Sequence, residues 1–283
     1  MNKILNILLI FTIFLSANNI EKAIEAEKEG KINKAIMLYN IDANKGNTDA
    51  LIRLGILYKD SKLVKQDYKK SFNYFLKASS KGEVRAKNYL GVMYLNGLGV
   101  EKNVLKAKKY FLDAKEMGSI EALNNLAYIY ANGIGVKQSY AKAILYYKEA
   151  AKKGNATGIY NLALLIEEGK GARKNESLAA KIYKMAADKN HTLAKANLAI
   201  MYLEGRGVKQ DVKTALKLLK SSAKNGNVSA LNTLGYMFAT GKGVDENPKI
   251  AYRFWKKAAE LGSDSAKKNI EMLCSENRAV CGK

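Results

Sequence analysis

Small residues recur every 36 positions along most of the chain: Ala50, Ala86, Ala122, Gly158, Ala194, Ala230 and Ala266, with no insertion or deletion between them. A fixed period of this length constrains the fold more than any composition does. Each period is one supersecondary unit that cannot bury its apolar face alone and must stack on its neighbours. Four positions on stand Leu54, Leu90, Leu126, Leu162, Leu198, Leu234 and Ile270, and eight on stand Tyr58, Tyr94, Tyr130, Ile166, Tyr202, Phe238 and Cys274. Spacings of four and eight fall on one stripe of a helix, so each unit opens with a helix that buries small, aliphatic and aromatic side chains in turn.

Glycine pairs follow that helix: Gly97 and Gly99, Gly133 and Gly135, Gly169 and Gly171, Gly205 and Gly207, Gly241 and Gly243. Glycine reaches the left-handed region that closes a helix C-terminus without a side-chain penalty. The unit from Ala50 has Asp60-Ser61-Lys62-Leu63-Val64 instead, so its loop should differ. Capping residues come next: Asp67, Asn103, Ser139, Asn175, Asp211 and Asn247. They announce a second helix in each unit. It carries a pair of bulky residues, such as Tyr74-Phe75, Tyr110-Phe111 and Phe254-Trp255, then a small residue for close approach, such as Ala78, Ala114 or Ala258. Gly82, Gly118, Gly154, Gly226 and Gly262 stop it, with Asn190 as the substitute. Upstream, Ala35, Leu38-Tyr39, Ala43 and Gly46 fit the second-helix pattern, preceded by a shorter first helix that ends at Gly30.

The strings NYLGVMYLNGLGVEKNVLKAKKYFLDAKEMGS, NNLAYIYANGIGVKQSYAKAILYYKEAAKKGN and NLAIMYLEGRGVKQDVKTALKLLKSSAKNGN carry a resemblance to the Sel1-like repeat family, relatives of the tetratricopeptide repeats. The resemblance spans nearly the whole chain after its first residues. It implies an all-α fold, a right-handed α-solenoid superhelix of antiparallel helix pairs with a groove lined by the first helices. The expected organisation is a signal peptide over residues 1–17, an N-terminal helix pair over 18–49, six 36-residue repeats over 50–265, and a C-terminal capping helix and tail over 266–283.

The signal peptide is read from Met1-Asn2-Lys3, the apolar run Ile4 to Leu15, and Ser16-Ala17. That run is too short to span a bilayer, which needs about 20 apolar residues. Export to the periplasm or beyond the cell is therefore expected, with cleavage after Ala17 and no transmembrane segment thereafter, the alternative being an uncleaved N-terminal anchor. Cys274 and Cys281 are then candidates for a disulfide that folds the tail over the last helix. The formal charge of +22, from 48 Lys and Arg against 26 Asp and Glu, would suit nucleic acid inside a cell. Export argues against that partner and leaves two readings, a solvated lysine surface or attraction to an anionic cell-envelope polymer or acidic protein.

Catalytic candidates are few. His191 is the lone histidine and sits where other units place a turn. With two cysteines it makes no zinc site of known spacing, so neither metal nor cofactor is expected. The stretch GKGARKN around Gly169 has a passing likeness to a phosphate loop, but it follows a helix and has counterparts in four other units. A related exported group, the Helicobacter cysteine-rich proteins, implies an alternative activity, penicillin binding or weak β-lactamase action. Its per-repeat cysteine positions hold Leu51, Lys87, Leu123, Ile159, Lys195 and Leu231 here, and Lys115, Ala151, Ala187, Ala223 and Ala259.

The leading expectation is a non-enzymatic scaffold for a protein or peptide. Three positions after the small residue stand Arg53, Tyr89, Asn125, Asn161, Asn197, Thr233 and Asn269. In peptide-binding tetratricopeptide domains the corresponding position often holds an asparagine that grips peptide backbone, since a carboxamide both donates and accepts. The candidate contacts are Arg53, Tyr89, Asn125, Asn161 and Asn197, with Arg85 and Tyr128 on the same face; asparagine at this position could equally bond the adjacent helix.

Overall fold

The computed structural model describes residues 19–60 and 62–281, the side chain of Arg278 excepted. The segment expected to be a signal peptide lies outside them. Among the described residues there are helices and no strands, and no helix is long and apolar enough to cross a membrane. The chain divides into two compact units, residues 1–138 and 139–283.

In the first unit α1 is described over residues 19–28. It is followed by α2 (Ile32–Asn44), α3 (Thr48–Asp60), α4 (Tyr68–Ser80), α5 (Val84–Asn96), α6 (Val104–Glu116) and α7 (Ile120–Asn132). The second unit holds α8 (Tyr140–Lys152), α9 (Ala156–Glu168), α10 (Glu176–Asp188), α11 (Thr192–Glu204), α12 (Val212–Lys224), α13 (Val228–Thr240), α14 (Pro248–Glu260), α15 (Asp264–Glu276) and a short 3-10 helix (Arg278–Cys281). Within each unit every helix from α2 onward packs on the next in the chain. The odd-numbered helices from α3 are the first helices of repeats and the even-numbered ones the second.

Local chemistry sets the bounds. Asp67, Asn103, Asn175, Asp211 and Asn247 each accept a hydrogen bond from the backbone N–H three residues on, and so does Ser139. This satisfies one of the donors a helix N-terminus leaves open. First helices end on Gly97, Gly133, Gly169, Gly205 or Gly241 in the left-handed region. Asn190, with φ 63°, replaces glycine at the turn after α10. The loop after α3 lacks both glycines and exposes Leu63, yet it closes as the others do. Asp67 N donates to Tyr58 O at 2.9 Å, as Asn103 N does to Tyr94 O at 2.8 Å.

Packing between the two helices of a repeat is matched in size. Gly55 faces Phe75, Gly91 faces Phe111 and Gly235 faces Trp255, each so closely that a Cβ on the glycine would lie 2.3–2.5 Å from the ring. Where the second-helix residue is the smaller Leu219, the first-helix position is Ala199, and both belong to one buried cluster. One expectation needs correction. The close-approach position in α2 is occupied by Asp42, 36 residues before Ala78, rather than by Ala43, and Asp42 is fully buried. A carboxylate is tolerated there because Asn19 Nδ2 donates to its Oδ1 at 3.2 Å and Lys45 Nζ lies 3.5 Å away.

Candidate functional site

On every first helix the residues at −1, +3, +6 and +10 from the small anchor form one stripe that stacking leaves outside the core. The candidate contact residues belong to this stripe, and most already have partners. In the first unit Arg53 is exposed. Arg85 donates from Nε to Glu83 Oε1 at 2.9 Å and from Nη2 to Asp49, the equivalent residue one repeat earlier. Tyr89 stacks on Phe75 with ring centroids 4.4 Å apart. Asn125 Nδ2 donates to Asn88 Oδ1 at 2.8 Å, joining adjacent first helices. Tyr128 is 51% exposed.

In the second unit Asn161 is half-buried. Asn197 enters a network that sequence reasoning missed. Its Nδ2 donates to Tyr183 Oη at 3.2 Å, and that hydroxyl donates to Glu167 Oε2 at 2.7 Å. Arg206 donates from Nη1 to Glu167 Oε1 at 2.7 Å. Burial first, then the Glu167 carboxylate, pushes the Tyr183 phenol well above its usual range. Tyr160, beside Asn197, is raised mainly by burial. Asn125 and Asn197 thus bond neighbouring helices, and any hold on a ligand would have to use their remaining donor and acceptor capacity. The signal for the network was present: Tyr160 and Glu167 stand where other repeats place Asn88 or Asn124 and Leu95 or Leu203.

His191 lies in the turn before α11, as expected, and there it is half-buried and serves as the N-cap of that helix. Its Nδ1 accepts from Ala194 N at 3.2 Å, and the ring stacks on Tyr160 with centroids 4.7 Å apart. Other repeats cap here with Ser119, Asn155, Asn227 or Ser263. Burial lowers the imidazole pKa below its ordinary value. The cap requires a neutral Nδ1, so its stabilisation is complete above the unfolded-state value of about 6.5 and is lost as pH falls through the lower folded value. Acidification through the imidazole range should therefore destabilise the native protein more than His191→Asn, whose cap carries no proton. Urea titrations of both proteins across that range read the difference; parallel pH profiles would remove His191 from the account.

Charge is segregated between helix types. The second helices α2 to α14 carry 21 Lys and Arg against 7 Asp and Glu, whereas the first helices α3 to α15 carry 7 against 9. Lys195, on α11, is only 8% exposed. Its Nζ donates to Asn190 Oδ1 at 2.9 Å and Ser221 Oγ at 3.0 Å. A serine against a lysine invites an acyl-transfer reading, but Ser221 lies inside α12. The backbone N–H groups there are spent on the helix, so they offer no oxyanion donors. Among the described residues no three His, Cys, Asp or Glu side chains cluster to hold a metal. At the C-terminus Cys274 and Cys281 are joined as a disulfide, with Cα atoms 5.8 Å apart.

Repeating helix pairs, paired glycine loops and caps at fixed positions define an α-solenoid repeat protein. The Sel1 repeat family matches residues 48–83, 84–119, 120–155, 156–191, 192–227 and 228–263, and the chain belongs to that family. It is similar to a Sel1 repeat protein from Oxalobacter formigenes, with 32% identity over 86% of this chain and 99% of that one, at a TM-score of 0.78. It is also similar to a protective antigen of uropathogenic Escherichia coli strains displaying an SLR fold, with 29% identity over 93% of this chain and a TM-score of 0.71. This chain spans 57% of that antigen's length. An immunity protein from Pseudomonas aeruginosa, 18% identical over 77% of this chain and 83% of its own, has a TM-score of 0.55 and shares the fold alone. No curated protein matches the chain. The family and fold are those of a scaffold for protein–protein interaction.

Proposed function

We propose that the protein is an exported, non-enzymatic scaffold that holds extended polypeptide along the first-helix stripe within each of its two units. The observation that supports this reading is the set of large apolar side chains on the stripe that stacking does not require. Tyr128 is 51% exposed, Tyr236 52%, Leu193 47% and Met272 58%. Buried positions beside them are filled, so these residues add nothing to the core, and exposed aromatic and Met side chains suit contact surfaces. Carboxamides share the stripe with them, at Asn125 and Asn132 in the first unit and at Asn161, Asn197 and Asn269 in the second. This pairing of apolar and amide groups matches the alternating side chains and backbone of an extended peptide. The apolar run from Ile4 to Leu15 supports export with removal of residues 1–17.

A photoreactive phenylalanine analogue at Tyr128 or Tyr236 should give discrete protein adducts in the native envelope fraction. The same group at Leu145, 65% exposed on a second helix, should not. Tyr128→Ala and Tyr236→Ala should each change stability by no more than about 0.5 kcal/mol while weakening capture of the adduct partner. Equal adducts from Leu145, or capture indifferent to both tyrosines, would sink the assignment of the stripe.

A further inference from the structure

Two clefts of the same construction lie exactly three repeats apart, on the other side of the first helices from the stripe. One, of about 540 Å3 in the first unit, runs between α4 and α6 over α5; the other, of about 430 Å3 in the second unit, runs between α10 and α12 over α11. Every position lining the first cleft has its counterpart 108 residues on in the second, and two lysines recur in kind, Lys87 as Lys195 and Lys109 as Lys217, whereas Lys106, Asp113, Lys184 and Asp188 fall opposite Thr214, Ser221, Leu76 and Ser80. In the first cleft Lys87, Lys106 and Lys109 face a single carboxylate, Asp113. In the second Lys184, Lys195 and Lys217 face a single carboxylate, Asp188. Both clefts therefore carry an excess of two positive charges, within a second-helix surface that is itself basic.

The inner lysine of each cleft is the informative one. At that repeat position Leu51, Leu123, Ile159 and Leu231 fill the core, so the scaffold does not call for a cation there. Lys195 has neutral oxygens as its hydrogen-bond partners and no ion pair among the described residues. Asn190 takes the positive φ normally left to glycine, and its side chain is the one that receives Lys195. A buried ammonium is costly unless its charge is answered, and two of its three donors are spent on Asn190 and Ser221. In the first cleft Lys87 Nζ stands 3.9 Å from Asp113 Oδ2, beyond hydrogen-bond distance.

We propose that the Lys195 cleft and its Lys87 counterpart each receive a side-chain carboxylate of an acidic polypeptide, a second binding surface distinct from the first-helix stripe. The third donor of Lys195, with Lys217 at the rim, matches a singly charged carboxylate, as does the Lys87 ammonium with Lys109 at its rim. No arginine lines either cleft, so the guanidinium fork that matches phosphate bidentately is not among their groups.

The test uses the full mature chain and a short oligo-glutamate peptide as probe, titrated at physiological salt. Lys87→Leu with Lys195→Leu introduces the residue that sister repeats carry, so folding should survive, and affinity should fall about tenfold or more. Lys109→Gln with Lys217→Gln alters only exposed rim charges and should also weaken binding, keeping the test independent of any core repacking. Lys220→Gln, an exposed second-helix lysine outside the cleft, should change affinity less than about twofold. The proposal is overturned if the two double variants bind no worse than Lys220→Gln. It is overturned equally if oligophosphate outcompetes oligo-glutamate and depends on the same lysines.

Discussion

Gly207→Ala is expected to lower stability by about 3 kcal/mol, whereas Gly205→Ala, two residues earlier in the same loop, should cost only about 1 kcal/mol. Both glycines have positive φ, 66° and 70°, so both changes incur the left-handed penalty. They differ in what an added Cβ would meet. At Gly207 it would lie 2.3 Å from the backbone carbon of Glu176, the first residue of α10 in the preceding repeat. At Gly205 the nearest atom is Gln210 Cβ at 3.6 Å, an ordinary contact. Backbone cannot rotate away as a side chain can, so the Gly207 change must push two repeats apart. In an array whose stability is a sum of repeats and their interfaces, a weakened interface also lowers cooperativity. Urea unfolding should show a reduced midpoint with a shallower slope for Gly207→Ala, and a small parallel shift for Gly205→Ala. Equal losses would mean that the second glycine serves the turn alone.

Trp255→Ala should cost about 3–5 kcal/mol, since the indole is 3% exposed and the largest side chain of its cluster. It also removes the Nε1 hydrogen bond to Asn232 O at 3.2 Å. Gly235→Ala should cost about 1–3 kcal/mol, because its Cβ would stand 2.3 Å from that same Nε1. Combining Gly235→Ala with Trp255→Leu recreates the Ala199 and Leu219 pairing of the preceding repeat. The double variant should then be more stable than the sum of its single changes implies, by about 0.5–3 kcal/mol. Chemical denaturation of the four proteins closes the cycle; strict additivity would show that the two positions are not matched in size.

These two cases show how differently the same letters could be read. The period in the sequence was enough to call helix pairs, place their caps and recognise that Gly97 or Gly205 ends a helix. Those features rest on interactions within a few residues, between a side chain and the nearest backbone. The candidate stripe was legible for the same reason, because spacing alone puts Asn125 and Tyr128 on one stripe of α7 flanking its anchor, and Asn161 on the corresponding stripe of α9. Their partners were not. Asn125 meets Asn88 from the previous repeat, and Asn197 meets Tyr183, whose hydroxyl serves Glu167, which also holds Arg206. How a carboxylate is accommodated at Asp42 depended on Asn19, 23 residues away.

By itself the sequence determined the repeat, the helix bounds, the family and the inventory of residues that stacking does not explain, because a 36-residue period encodes local structure many times over and each copy checks the others. Only the tertiary structure decided what those exceptions do. The second glycine of each pair is small because a neighbouring helix start lies against it, His191 is a cap that must stay neutral, and Lys195 lies at the floor of a cleft built by three helices. Each depends on atoms brought together across repeats, where close packing and charge burial act and where distance along the chain carries no information.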